Sequence, residues 1–183
     1  MQKKEVKKDM KKLILFLGVV VMFSGMLYAG NPDSMTISVT ITGATKSVDI
    51  ASTTWTLSVA TGTTNNSGEI KVTNNSGGFT ETYQVKSSST NWEAGTALAD
   101  VGANRRVLAS VIKTYGVGSP TFADDDVVGL SYVTCSATQF SDDATNNGAN
   151  VAAGGDRSMW LQLKTPTSVA STTENITLYV YVP

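Results

Sequence analysis

Beyond residue 30 the chain is built from short runs in which apolar residues alternate with threonine, serine and other polar residues, and this alternation decides the fold class. "ENITLYVYV" (Glu174–Val182) sets Ile176, Leu178, Val180 and Val182 on one side and Tyr179 and Tyr181 on the other. "SMWLQLKT" (Ser158–Thr165) sets Met159, Leu161 and Leu163 against Trp160 and Gln162. A period of two is that of a strand half buried on a sheet, because successive side chains leave opposite faces. Threonine and valine reinforce it, since branching at Cβ packs well on a pleated surface. Asn, Gly and Ser punctuate the runs with turns. The pattern predicts strands over Met35–Thr42, Ser47–Ile50, Trp55–Ala60, Glu69–Thr73, Thr80–Ser87, Val107–Thr114, Val127–Ser136, Ser158–Thr165 and Asn175–Val182. No stretch has a capped helical period, and the glycines of Ala94–Arg106 favour a loop there. Eight or nine strands in one domain predict an all-β fold, a single antiparallel β-sandwich of jelly-roll or immunoglobulin-like type.

The first 29 residues read differently. Lys3, Lys4, Lys7, Lys8, Lys11 and Lys12 precede an apolar run, Leu13–Leu27, and then "YAG". A run of about 15 residues is short for a membrane span of roughly 20. It suits a signal peptide over residues 1–29, cut after Ala29, and "MKKLILF" at Met10 reads as a second natural start. The expectation is export through the Sec pathway to the extracellular space or cell surface. No stable membrane insertion is expected after cleavage, and residues 30–183 would form the domain. Six of the 14 Lys+Arg and two of the 15 Asp+Glu lie in the signal, so residues 30–183 carry 8 basic against 13 acidic side chains, a net charge of −5. An acidic chain without basic clusters is a poor nucleic-acid binder.

The inventory of reactive side chains is small. The chain has one cysteine and no histidine, which excludes an internal disulfide, a zinc site of Cys/His ligands, and Ser–His–Asp or Cys–His nucleophiles. Cys135 is expected to point into the core as a small hydrophobe. Enzymatic activity is not expected. A hydrolase would need an organised carboxylate pair among Asp124–Asp126, Asp142, Asp143, Glu81 and Glu93, and nothing in the spacing fixes one. No cofactor is expected. The weak calcium candidates are Asp124, Asp126, Asp142 and Asp143, since hard oxygen ligands suit that ion. "DATNNG" (Asp143–Gly148) echoes the start of a calcium loop, but Gly154 stands where a bidentate glutamate belongs.

"GEIKVTNNSGGFTETYQVKSSSTNW" (Gly68–Trp92) reads as two alternating strands around "NNSGG", a hairpin signal. This stretch, with Ser158–Val182 as a closing strand pair, resembles bacterial and archaeal immunoglobulin-like surface domains and TasA/camelysin-type secreted fibre proteins. The likeness covers about a third of residues 30–183 and implies a β-sandwich and assembly into fibres. The absence of histidine departs from any metalloprotease activity in that family, so the implication is restricted to fold and assembly.

The leading functional expectation is therefore an exported structural subunit of an extracellular filament, pilus-like fibre or surface array, a homopolymer whose partner is itself. Assembly would proceed by β-strand addition, in the manner of donor-strand complementation. The expected interface residues are Met35, Ile37, Val39 and Ile41 on the strand that follows the signal. They are joined by Trp160, Tyr179 and Tyr181, expected to line up on the outer face of adjacent strands. Whether Met35–Thr42 completes its own sheet or a neighbour's is open, with the balance towards a neighbour's. The alternative is a monomeric extracellular carbohydrate- or protein-binding module, with Trp55, Trp92 and Trp160 and Tyr83, Tyr132, Tyr179 and Tyr181 as the candidate sugar-stacking aromatics.

Overall fold

The computed structural model describes residues 46–183 apart from Thr53 and Thr172. The signal peptide and the Met35–Thr42 strand, with Met35, Ile37, Val39 and Ile41, lie outside the described residues. The described part is all-β. Its strands are β1 (Val48–Ile50), β2 (Thr64–Asn66), β3 (Ile70–Asn74), β4 (Gln84–Ser89), β5 (Glu93–Ala94), β6 (Arg105–Thr114), β7 (Val133–Thr134), β8 (Asp156–Lys164) and β9 (Ile176–Tyr181). A 3₁₀ turn over Asp124–Asp126 is the sole helical element among the described residues.

Two sheets result. The larger has the order β1-β3-β8-β6-β5, with β2 on β8 beyond the end of β3. The smaller has the order β7-β4-β9. Every strand pairing is antiparallel except β5 with β6, which is parallel and departs from the expected wholly antiparallel arrangement. The β6–β8 ladder runs from Val107↔Lys164 to Thr114↔Arg157 and forms the centre of the large sheet.

The alternation explains where the core lies. Leu108 and Ile112 of β6, Met159, Leu161 and Leu163 of β8, and Val72 of β3 face Val85 of β4 and Val182. Tyr83, Val128, Phe140, Val151 and Cys135 complete the same buried cluster. Each fully buried aliphatic of this kind is worth about 1.5–3 kcal/mol over its exposed state. Cys135 is buried as expected, and burial pushes its thiol up to about 12, leaving it unreactive. At one end of the body the Lys46 ammonium donates to the Pro183 carbonyl, so the first described residue meets the last.

Four sequence expectations are corrected. Gly68–Trp92 is not a hairpin, because β3 and β4 lie in different sheets. "NNSGG" is an arch between them: Asn74 Nδ2 donates to the Phe79 and Val151 carbonyls, both at 2.8 Å, and Oδ1 accepts from Ser76 N–H at 3.0 Å. Gly78 takes the positive φ of 91° that closes the turn. The predicted closing pair β8 and β9 is likewise divided between the sheets.

Val127–Ser136 is not one strand. Val127 bridges to Ala109 and Val128 N–H donates to Leu108 O, whereas Gly129 O accepts from Ser87 N–H. The segment thus passes from the β6 edge to the β4 edge, and a chain changing sheets keeps no continuous ladder. The fourth correction is Trp55–Ala60, which is in no strand.

Candidate functional site

An apolar groove of about 600 Å³ lies between the sheets, open to solvent, on the side where β9 ends the small sheet. Its floor is the inner face of the large sheet, with Ile70, Leu108, Met159, Leu161 and Leu163. Ile176 and Leu178 of β9 line it, as do Trp55 and Leu57 of the segment between β1 and β2. Ile50 and Trp92 complete the apolar lining. A volume of this size is in the range of ligand sites, and the floor side chains belong to the same cluster that forms the core.

Two lengths of main chain border this groove without ladder partners. β9 pairs with β4 along its whole length, from Gln84↔Tyr181 to Ser89↔Ile176. Its other edge has no main-chain partner among the described residues. Trp55–Val59 likewise makes no main-chain hydrogen bond among the described residues. It still alternates as a strand does: Trp55 and Leu57 pack against the core, whereas Thr56 and Ser58 are exposed. Its C-terminal end is anchored by Thr165 Oγ1 on Ala60 O at 2.9 Å, and Ala51, four residues before Trp55, donates its N–H to Lys71 O at 2.9 Å. Unpaired edges of this kind are templates for another strand.

The outer face of the small sheet carries a second feature. Tyr132 and Tyr181 pack with ring centroids 5.3 Å apart and ring planes tilted by 43°. Lys86 of β4 lies 4.4 Å from the Tyr132 ring and 5.0 Å from that of Tyr179, a cation–π arrangement. All three tyrosines are exposed, by 40–46%. Trp160 does not join them, although the sequence placed it beside Tyr179 and Tyr181. It sits on β8 in the other sheet, opposite Val111 of β6 and directed away from the core face of Met159 and Leu161. Tyr132, which the sequence groups with Tyr179 and Tyr181 among the candidate sugar-stacking aromatics, does join them here.

The candidate calcium ligands are not gathered. Asp124 Oδ1 accepts from Leu98 N–H at 2.7 Å, and Asp142 pairs with Lys113 Nζ at 2.9 Å. Asp143 turns on itself, accepting from Thr145 N–H and Oγ1, and these bonds hold its carboxyl down to about 2. Asp126 is buried, and desolvation pushes its carboxyl up to about 6. Among the described residues no three acidic or cysteine groups come together as a metal site.

Two further side chains depart from their sequence context, in which "NRR" (Asn104–Arg106) reads as a solvated loop and Asn74 opens an Asn-x-Ser/Thr sequon. Arg106 is fully buried on the inner face of β6, with Nη2 on Ser87 Oγ at 2.8 Å. Its Nε and Nη1 have no partner among the described residues, and burial lowers its guanidinium to about 10. The Asn74 sequon cannot carry a glycan in this fold, because its amide is buried and doubly bonded to carbonyls. No family model, curated protein or solved structure matches the chain.

Proposed function

We propose that this chain is a non-enzymatic, exported structural subunit that assembles outside the cell into a filament, pilus-like fibre or surface array. In this reading the two sheets close on each other as a single β-sandwich, and subunits join by β-strand addition. The observation that carries the reading is the edge of β9 that has no main-chain partner among the described residues and lies beside an apolar groove. A strand laid along that edge gains main-chain hydrogen bonds, while its alternate side chains enter the groove and set the register. Met35–Thr42 of a neighbouring copy has the right character, with Met35, Ile37, Val39 and Ile41 on one face. A contact that passes from donor to acceptor without closing generates a filament.

The test is a chain with Ile37→Asp and Ile41→Asp. A carboxylate in a groove lined by Leu161, Leu163 and Leu178 has no partner there, and burying it is prohibitive. The variant is expected to be secreted, folded by circular dichroism and monomeric, with no filaments by electron microscopy. Filaments as abundant as those of the unsubstituted chain would overturn the reading.

The exposed, tilted Tyr132–Tyr181 pair favours a second reading, a monomeric carbohydrate-binding module, since each tyrosine ring presents an apolar face with a polar tip. Size-exclusion chromatography combined with glycan pull-down separates the two. A monomer that retains polysaccharide through Tyr181 supports the module, and a glycan-blind polymer supports the subunit.

A further inference from the structure

We infer that Trp55–Ala60 is the second half of the acceptor: a strap, already extended, that pairs with the far edge of the strand entering beside β9. The inference rests on the strand-addition reading above and concerns what that strand meets on its other side. An inserted strand has two edges, and β9 satisfies one of them. The second would remain open unless another main chain lies alongside.

The strap meets each requirement for that partner. Trp55 and Leu57 line the same groove as Ile176 and Leu178. Its sequence alternates with period two, yet Trp55–Val59 makes no main-chain hydrogen bond among the described residues. A segment with strand patterning and no ladder is missing a neighbour rather than a propensity. Its C-terminal end is tied at Ala60 to Thr165, and Ala51, four residues before Trp55, is tied to Lys71, which reduces the chain entropy lost when the strap zips onto a partner. With Met35–Thr42 of a second copy between β9 and the strap, the small sheet grows from three strands to five and approaches the six of its opposite. The incoming strand is then held along both edges.

The experiment uses the full secreted chain carrying Ile37→Asp and Ile41→Asp, which cannot donate, with a synthetic peptide of Asn31–Gly43 added in excess. Amide hydrogen exchange is followed by mass spectrometry. The expected result is that amides of Ile176–Tyr181 and of Trp55–Ala60 both slow by about tenfold or more. Slowing confined to Ile176–Tyr181 would overturn the strap's role and leave strand addition standing. Slowing confined to Trp55–Ala60 would overturn the two-edged slot, and no slowing in either segment would remove strand addition and the strap together.

Discussion

Asp126 is the side chain whose chemistry the fold alters most among the carboxylates. The 3₁₀ turn Asp124–Asp126 buries it with Oδ2 on Ala123 N–H at 2.8 Å and Oδ1 without a partner among the described residues. Desolvation is the main cause of its upward shift from 3.8 to about 6, and the charges of Asp125 and Asp142 add to it. The folded chain thus holds this proton more tightly than the unfolded chain. Stability from Asp126 falls as pH rises from 3.8 to about 6 and is flat above that. The span corresponds to at most about 3 kcal/mol. Asp100, Asp143 and Asp156 are shifted downward, so the stability they contribute is lost only below the usual carboxylate range, outside this window. Asp126→Asn keeps an acceptor for Ala123 N–H and removes the charge. Thermal unfolding of the variant is expected to be about 1–3 kcal/mol more favourable to the folded state at pH 7 and to lose the slope between pH 4 and 6. An unchanged slope would place the titration elsewhere. None of this was legible in "ADDDVV", which reads as a solvated loop. Two of its three aspartates are exposed, and burial of the third depends on the chain returning across β6.

At the scale of elements, β6, β8 and β9 were legible because alternation and length agreed, and the structure places them within two residues of their predicted ends. The turn between β3 and β4 was legible as a turn but not as an arch. Asn, Ser and Gly suit either, and which sheet receives the outgoing strand is set by distant partners, Val151 among them. Asn74 is the pin of that arch. Asn74→Ala deletes three hydrogen bonds in a fully buried site and is expected to cost about 2–4 kcal/mol, read as a lower denaturant midpoint. A loss below about 0.5 kcal/mol would mean that the arch is held by Gly78 and the flanking strands instead. Trp55–Ala60 failed for the opposite reason: its pattern is that of a strand, but a ladder requires a partner that no local signal encodes. The groove was invisible to sequence reading on the same ground, since its lining comes from six separate stretches of chain.

At the scale of the whole molecule the notable property, among the described residues, is imbalance. A sheet of six strands shares its core with one of three, and the groove opens beside β9. The all-β class followed from alternation alone, whereas the division of strands between sheets did not, because it depends on arches rather than hairpins. The meeting of Lys46 with Pro183 has a practical consequence for microscopy. Lys46, to which the segment bearing Met35–Thr42 is joined, thus lies against Pro183. A fluorescent protein fused after Pro183 would crowd that junction and is expected to suppress polymerisation. The same label inserted between Thr145 and Asn146, in an exposed turn remote in sequence from β9, is expected to leave fibres visible in the microscope.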